Sequence, residues 1–368
     1  MADVIVIGGG IAGVSAAAEC ARGGADVVVL EGERQIGYHA TGRSAAIFIR
    51  NYGNATLRAL NAVAEPIFEE PGEISDAPIL SPRGELMVAS EEELPVLDAY
   101  LDGAVGVERL TGTEAAEIVP ILRADRIAGA MIERGARGID VDLLLQGYAR
   151  MLRARGGRIV TGATVTGMTH EAGQWRVETA EGTFAAPVVV NAAGAWADEV
   201  ATLAGLPRVG LQPCRRSAAI IPAPEGYETE AWPIFGSIAE TWYAKPEAGK
   251  LMVSPADEDP VEPHDAWADD MVLAEGLYRF EQAISVPVTR VEHSWAGLRT
   301  FAPDRTPVVG FDPGADGFFW LAGQGGYGVQ TAPALSRLAA ALILGGVPEI
   351  SEAVLAAMAP GRFGARAG

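Results

Sequence analysis

Residues 3–31 read DVIVIGGGIAGVSAAAECARGGADVVVLE, and this stretch decides the fold. A short β-branched run over 3–7 predicts a strand, the alanine-rich residues up to Arg22 predict a helix, and the apolar run 26–30 predicts a second strand closed by Glu31. Together they make a βαβ unit with Gly8, Gly10 and Gly13 at its first turn. Each glycine has a mechanical task in binding a dinucleotide. Gly8 permits the tight turn, Gly10 lets the backbone approach a pyrophosphate, and Gly13 lets helix and strand pack closely. Glu31 is placed to accept hydrogen bonds from the adenosine ribose, and the phosphates would sit at a helix N-terminus, where unpaired N–H groups favour negative charge.

Working outward, the chain does not continue with the further βα units of a nicotinamide enzyme. Residues 37–46, GYHATGRSAA, form a glycine-bracketed loop whose hydroxyls and Arg43 suit a pyrophosphate or a ribityl chain. Strand-then-glycine punctuation returns at 187–194 (PVVVNAAG) and at 317–328 (GFFWLAGQGGYG), the latter followed by a helical pattern over 331–344. This arrangement favours FAD. His39 lies where some flavoproteins attach the flavin covalently, but a polar loop residue beside a non-covalent FAD is the plainer reading. Residues 213–298 hold alternating runs at 217–221, 241–244 and 250–253, which suggest an antiparallel sheet. The expected fold is α/β plus α+β. A Rossmann-like FAD-binding domain (1–78, 131–210 and 300–368) interleaves with a substrate-binding domain (79–130 and 211–299) built on that sheet.

Composition sets the boundaries. Among 368 residues, 28 Lys+Arg face 48 Asp+Glu, a formal net charge of −20 that disfavours nucleic acid and anionic membranes. The apolar share of 49% is that of a globular chain. Cys20 and Cys214 follow neither metal-ligand nor redox-motif spacing, and no metal is expected. The N-terminus runs straight into a strand without a basic leader, and no apolar stretch is long enough to cross a bilayer, so a soluble cytoplasmic protein is expected. The acid-rich run 257–270 reads as a solvated loop.

With these segments laid out, the chain resembles the D-amino-acid oxidase superfamily of flavoproteins, which includes glycine and sarcosine oxidases. Within it the chain is most similar to the bacterial D-arginine dehydrogenases. The matching stretches are GGGIAG at 8–13, GYHATGRSAA at 37–46, LSPRGE at 80–85, VVNAAGAW at 189–196, LQPCRRSA at 211–218, WAGLR at 295–299 and GFFWLAGQGGYG at 317–328. The resemblance implies FAD held by Gly8, Gly10, Ile11, Ala12, Gly13, Glu31, Gly32, His39, Gly42, Arg43, Ser44, Ala45, Val165, Ala193, Gly194, Gly325, Gly326, Tyr327 and Gly328. It implies an Arg pair, Arg216 and Arg299, on the substrate carboxylate, with Tyr52 and Tyr243 at the active-site entrance. Gly326 would lie beside the substrate amine, and Glu85 would receive a cationic side chain. Ile47 stands where the D-arginine dehydrogenases carry a histidine close to the substrate.

The implied reaction is FAD-dependent oxidative deamination of a D-amino acid. Hydride leaves Cα for flavin N5, and the imino acid hydrolyses to a 2-keto acid and ammonia. A planar carboxylate is best fixed by guanidinium groups, which stay charged in any environment. Arg215 and Arg216 are adjacent on a strand and should point to opposite faces, so that one meets the flavin and the other solvent. No residue presents itself as a base; a backbone carbonyl such as that of Gly326 can orient a neutral amine. The GQGGYG turn should aim the next helix N-terminus at the flavin. Two other readings stay open: a glycine- or sarcosine-type amine oxidase with a small pocket, and a flavin-binding subunit without turnover of its own. The electron acceptor, a quinone-type molecule or oxygen, is left open by the sequence.

Overall fold

The computed structural model describes residues 2–364. The opening stretch folds as the sequence predicts: strand Val4–Ile7, helix Ile11–Arg22 and strand Val27–Leu30, with the two strands parallel and in register from Val4 opposite Val27. These strands lie inside a six-stranded sheet. On one side, strands Val188–Asn191 and Phe318–Ala322 add in parallel and Val308–Phe311 closes the edge antiparallel; on the other, Arg158–Val160 adds in parallel. The returns predicted at 187–194 and 317–328 are therefore neighbours in one sheet. Sequence gave no sign of the outer strands 158–160 and 308–311.

A parallel sheet must be covered on both faces, and alternation along the strands supplies both cores. Val4, Val6, Val27 and Val29 pack against helices Ile11–Arg22, Ala55–Glu69, Val141–Arg153 and Gly328–Leu344. Ile5, Ile7, Val28 and Leu30 pack against the opposite layer, where a small antiparallel sheet (Val165–Glu171, Gln174–Thr179, Gly182–Ala186) and helix Ala197–Leu203 contribute Trp175, Val177 and Val200.

The second large sheet has nine strands. Its centre runs in the order Gln212–Pro222, Lys250–Ser254, Tyr243–Glu247, Ile234–Ser237, Glu85–Ala89 and Gly129–Glu133, and His293–Phe301 pairs with Gln212–Pro222. Pairing is antiparallel except between Ile234–Ser237 and Glu85–Ala89, which run parallel, so the expected antiparallel sheet is in fact mixed. One face buries Leu86, Val88, Phe235, Ala244, Leu251 and Val253 against Phe280 of helix Asp270–Ala283. Alternation then turns Glu85, Met87, Tyr243 and Met252 to the other face, toward the six-stranded sheet. Strand Gly129–Glu133 continues this sheet past residue 130, where the sequence-based boundary stood. Among the described residues no helix is long and apolar enough to cross a membrane.

Candidate active site

Two adjoining cavities lie between the sheets. The larger, about 450 Å³, runs along the carboxyl ends of the parallel strands, the usual ligand position in such sheets. At one end it is walled by the glycine turn. Gly8 has φ +110°, and a Cβ there would sit 2.4 Å from the Ala192 carbonyl oxygen. A Cβ on Gly13 would meet the Gly8 carbonyl oxygen at 2.0 Å, so the close packing of helix on strand demands glycine. Glu31 lines this end; its two carboxylate oxygens accept the Gly9 and Glu33 N–H groups at 2.6 and 2.8 Å, which fixes its orientation and leaves lone pairs for hydroxyl donors.

Of the residues assigned to the nucleotide, Gly8, Gly10, Ile11, Ala12, Glu31, Gly32, His39, Arg43, Ser44, Ala45, Val165, Ala193, Gly194, Gly325, Gly326 and Gly328 line the larger cavity. Gly13, Gly42 and Tyr327 do not. Gly13 acts through packing, Gly42 closes its own turn by donating to the Gly37 carbonyl at 2.8 Å, and the Tyr327 ring packs on Tyr52 with centroids 4.7 Å apart. Arg43 lines the cavity and is also anchored beyond it. Its guanidinium donates to the Ala266 and Ala296 carbonyls at 2.8 and 3.0 Å and pairs with Asp265 at 2.5 Å, tying the loop to strand His293–Phe301 and to the segment 265–266. His39 contacts Glu33 at 2.9 Å through Nε2 and lies against Trp196. Thr41, one of the loop hydroxyls, accepts the Ile11 N–H at 3.0 Å and so holds the loop across the helix N-terminus, a role the sequence did not reveal. A hydroxyl one residue from a glycine in a nucleotide loop was the signal available.

The smaller cavity, about 120 Å³, shares Arg216, Arg299, Tyr243, Gly326, Ser44 and Ala45 with the larger one. Tyr52 and Glu85 line only the smaller cavity, as does Ile47. All six residues assigned to catalysis and substrate binding thus meet at one place. Arg299 passes so close to Gly326 that a Cβ there would stand 2.8 Å from its guanidinium carbon. Arg299 Nη1 lies 3.5 Å from the Tyr52 hydroxyl. Burial alone would raise the Tyr243 phenol pKa, but Arg299 and then Arg216 outweigh it and hold the group below its ordinary value. Burial raises the Tyr52 phenol.

Arg215 and Arg216 do point to opposite faces, though Arg215 meets carboxylates instead of open solvent: Asp257 at 3.3 Å and Asp259 at 2.7 Å. Here the expected solvated loop is corrected, because Asp257 is buried and Asp265 pairs with Arg43. Only part of that run is free in water.

Glu85 occupies the far end of the smaller cavity and is 6% exposed. It does not pair with Arg83, which donates to the Glu230 and Trp232 carbonyls. The Tyr100 hydroxyl donates to Glu85 at 3.4 Å, and buried Glu133 stands opposite it on the neighbouring strand. Burial, and then the Glu133 carboxylate, push the Glu85 pKa up to about 8. Tyr100 and Glu240, which also line this cavity, carried no signal in sequence, since each reaches it from an element distant along the chain.

The geometry can be set beside known proteins. The family described as DAO, FAD dependent oxidoreductase, matches residues 3–342. The glycine oxidase of Geobacillus kaustophilus (strain HTA426) is 26% identical over 361 residues, covering 93% of this chain and 92% of that protein. Human mitochondrial dimethylglycine dehydrogenase is 25% identical over 395 residues, covering 99% of this chain but 44% of that protein, so the chain spans less than half of that relative's length. Among solved structures, L-proline dehydrogenase from P. horikoshii superposes with a TM-score of 0.85 at 23% identity, covering 98% of this chain and 97% of that one. The glycine oxidase structure from Geobacillus kaustophilus gives 0.83 at 24% identity, covering 98% of each chain. These two superpositions show the shared fold. With a glycine-walled dinucleotide cavity opening onto a second, arginine-lined one, and with the family match spanning both, the chain belongs to the DAO family of FAD-dependent oxidoreductases.

Proposed function

We propose that this protein oxidises free D-amino acids with long cationic side chains, D-arginine and D-lysine foremost, to imino acids that hydrolyse to 2-keto acids and ammonia. The observation that carries the reading is the pattern of charge on the cavity face of the nine-stranded sheet. Arg299 and Arg216 stand on adjacent strands at one end, and the buried Glu85 stands four strands beyond that of Arg216. At about 4.8 Å per strand, that separation is roughly 19 Å between backbones before the side chains reach inward. It suits a substrate with a carboxylate at one end and a cation at the other.

The larger cavity suits FAD on its own geometry, because the glycine wall leaves no room for a Cβ, Glu31 presents oriented oxygens, and helix Ile11–Arg22 points its N-terminus inward. In this reading the division of the chain into an FAD-binding part and a substrate-binding part follows the two large sheets. Bound FAD supplies the two-electron acceptor for the hydride leaving Cα. The protein supplies position. Arg216 and Arg299 grip the carboxylate, the Gly326 carbonyl orients the neutral amine, and Tyr243 and Tyr52 close the wall around them. Glu85 takes the distal cation. The D configuration rests on the resemblance carried by GYHATGRSAA and GQGGYG.

The named activities of the relatives, on glycine, sarcosine and dimethylglycine, favour a second reading in which the substrate is small. A small substrate leaves Glu85 buried without a cationic partner, which is costly unless it stays protonated. Agmatine, which keeps the guanidinium of arginine but lacks its carboxylate, separates gripping from general affinity. The proposal expects D-arginine to reduce the flavin and agmatine to leave it oxidised. Equal reduction by both would contradict it.

A further inference from the structure

Arg216 alone does not explain its own placement. It sits on a sheet strand among buried neighbours, and a long side chain needs a fixed partner to present one edge to a ligand. That partner is the segment following strand Lys250–Ser254. The Arg216 Nε donates to the Asp257 backbone carbonyl at 2.7 Å. The Asp257 carboxylate in turn accepts the Ser217 N–H at 2.6 Å and the Ser217 hydroxyl at 2.8 Å, and Arg215 Nε reaches it at 3.3 Å. Asp257 is therefore held from three sides by the residues flanking Arg216. The turn is braced further: Ser254 donates to the Ser217 carbonyl at 2.6 Å and accepts the Ala256 N–H at 3.1 Å, while Ala256 adopts φ +53°. A non-glycine residue in the left-handed region is strained, and it persists only where its surroundings fix it.

We propose that Asp257 is a positioning residue for substrate binding: its carboxylate locks onto Ser217 so that its carbonyl fixes Arg216 Nε and leaves the terminal nitrogens of that guanidinium for the substrate carboxylate. This rests on the role given to Arg216 above. Glu258 lies 3.6 Å from Arg216 Nη2, beyond hydrogen-bond distance, and is shared with Arg305 at 2.9 Å. Asp257 does not line either cavity, so its effect passes through Arg216.

The test uses FAD-loaded enzyme with D-arginine as substrate and acetate as an unreactive carboxylate whose binding is followed by the flavin absorbance change. Asp257→Asn replaces an acceptor oxygen by an amide nitrogen that cannot satisfy both Ser217 and Arg215. The expected result is a rise in KM and in the acetate Kd of about tenfold, with the limiting rate of flavin reduction changed by less than about threefold. If that variant does not yield loaded enzyme, Ser217→Ala is measured in its place and should raise both constants in the same direction. Arg216→Lys is the control. Unchanged KM and acetate Kd in Arg216→Lys remove the underlying reading of Arg216. A large rise in Arg216→Lys with no rise in the Asp257 or Ser217 variant overturns the proposal for Asp257 alone. An equal fall in limiting rate and in carboxylate affinity would likewise overturn it, since general loosening of the site moves both.

Discussion

Arg216 and Arg299 share one face of an antiparallel strand pair, because Arg216 lies opposite Gly297 and Arg299 lies opposite Cys214 two residues further along. Residues two apart on a strand point the same way, so the two guanidinium groups are diagonal neighbours. Glycine at 297 lets the 37–46 loop approach this strand closely: a Cβ there would stand 3.3 Å from Arg43 Cβ. The pair is thus a product of register, and a shift of one residue would send one arginine to the opposite face.

Arg299→Lys and Arg216→Lys each replace a planar fork by a point charge. Hydrogen bonds to a charged group contribute about 1.5–3 kcal/mol, so each change should raise KM for D-arginine by roughly 10- to 150-fold. Steady-state kinetics measures the loss, and an unshifted thermal midpoint shows that the fold is intact.

Gly326→Ala tests the close passage of Arg299. The added methyl carbon would fall 2.8 Å from the guanidinium carbon and Nη1. Arg299 must then move, so turnover should fall at least about tenfold while stability falls by roughly 1–3 kcal/mol, the usual effect of overpacking. Activity equal to wild type would mean that Arg299 has no fixed role.

Glu85 gives a pH prediction with a definite sign. Its pKa is pushed up to about 8, so in the empty pocket at lower pH the carboxyl is protonated, and a cationic side chain must displace that proton. The ratio of kcat/KM for D-arginine to that for D-methionine cancels the titration of the α-amino group. It should rise by about tenfold per pH unit below this pKa and level off above it. Glu85→Gln should flatten the ratio across the whole range.

Much of this was legible in the sequence for physical reasons. Gly8, Gly10, Gly13 and Glu31 are local: a turn, a close approach and a strand end follow from spacing alone. The meeting of Glu85 with the arginines was legible only through the matched motifs. The roles of Thr41, Tyr100 and Asp257 were missed because their partners lie elsewhere in the chain, Ile11 for the first, Glu85 for the second and Ser217 for the third. The anchoring contacts of Arg43 were hidden for the same reason. A basic residue in a nucleotide loop suggests phosphate, yet it also meets the Asp265 carboxylate and the Ala266 and Ala296 carbonyls, all more than 200 residues away, which no local pattern reveals.

Gly13→Ala probes the cofactor cradle. Its methyl carbon would meet the Gly8 carbonyl oxygen at 2.0 Å, backbone against side chain, and only a shift of the helix relieves that. FAD occupancy of the purified protein, read from the ratio of flavin to protein absorbance, should fall well below that of wild type. Full occupancy would show that helix and strand need not be so close.

The most direct measurement is anaerobic reduction of the bound flavin by D-arginine, L-arginine, glycine and sarcosine at equal concentration. The account predicts rapid bleaching by D-arginine, with the other three slower by at least about a hundredfold, because glycine and sarcosine lack the distal cation and L-arginine cannot hold both ends while aiming its Cα–H at the flavin. Faster bleaching by L-arginine, glycine or sarcosine would contradict it.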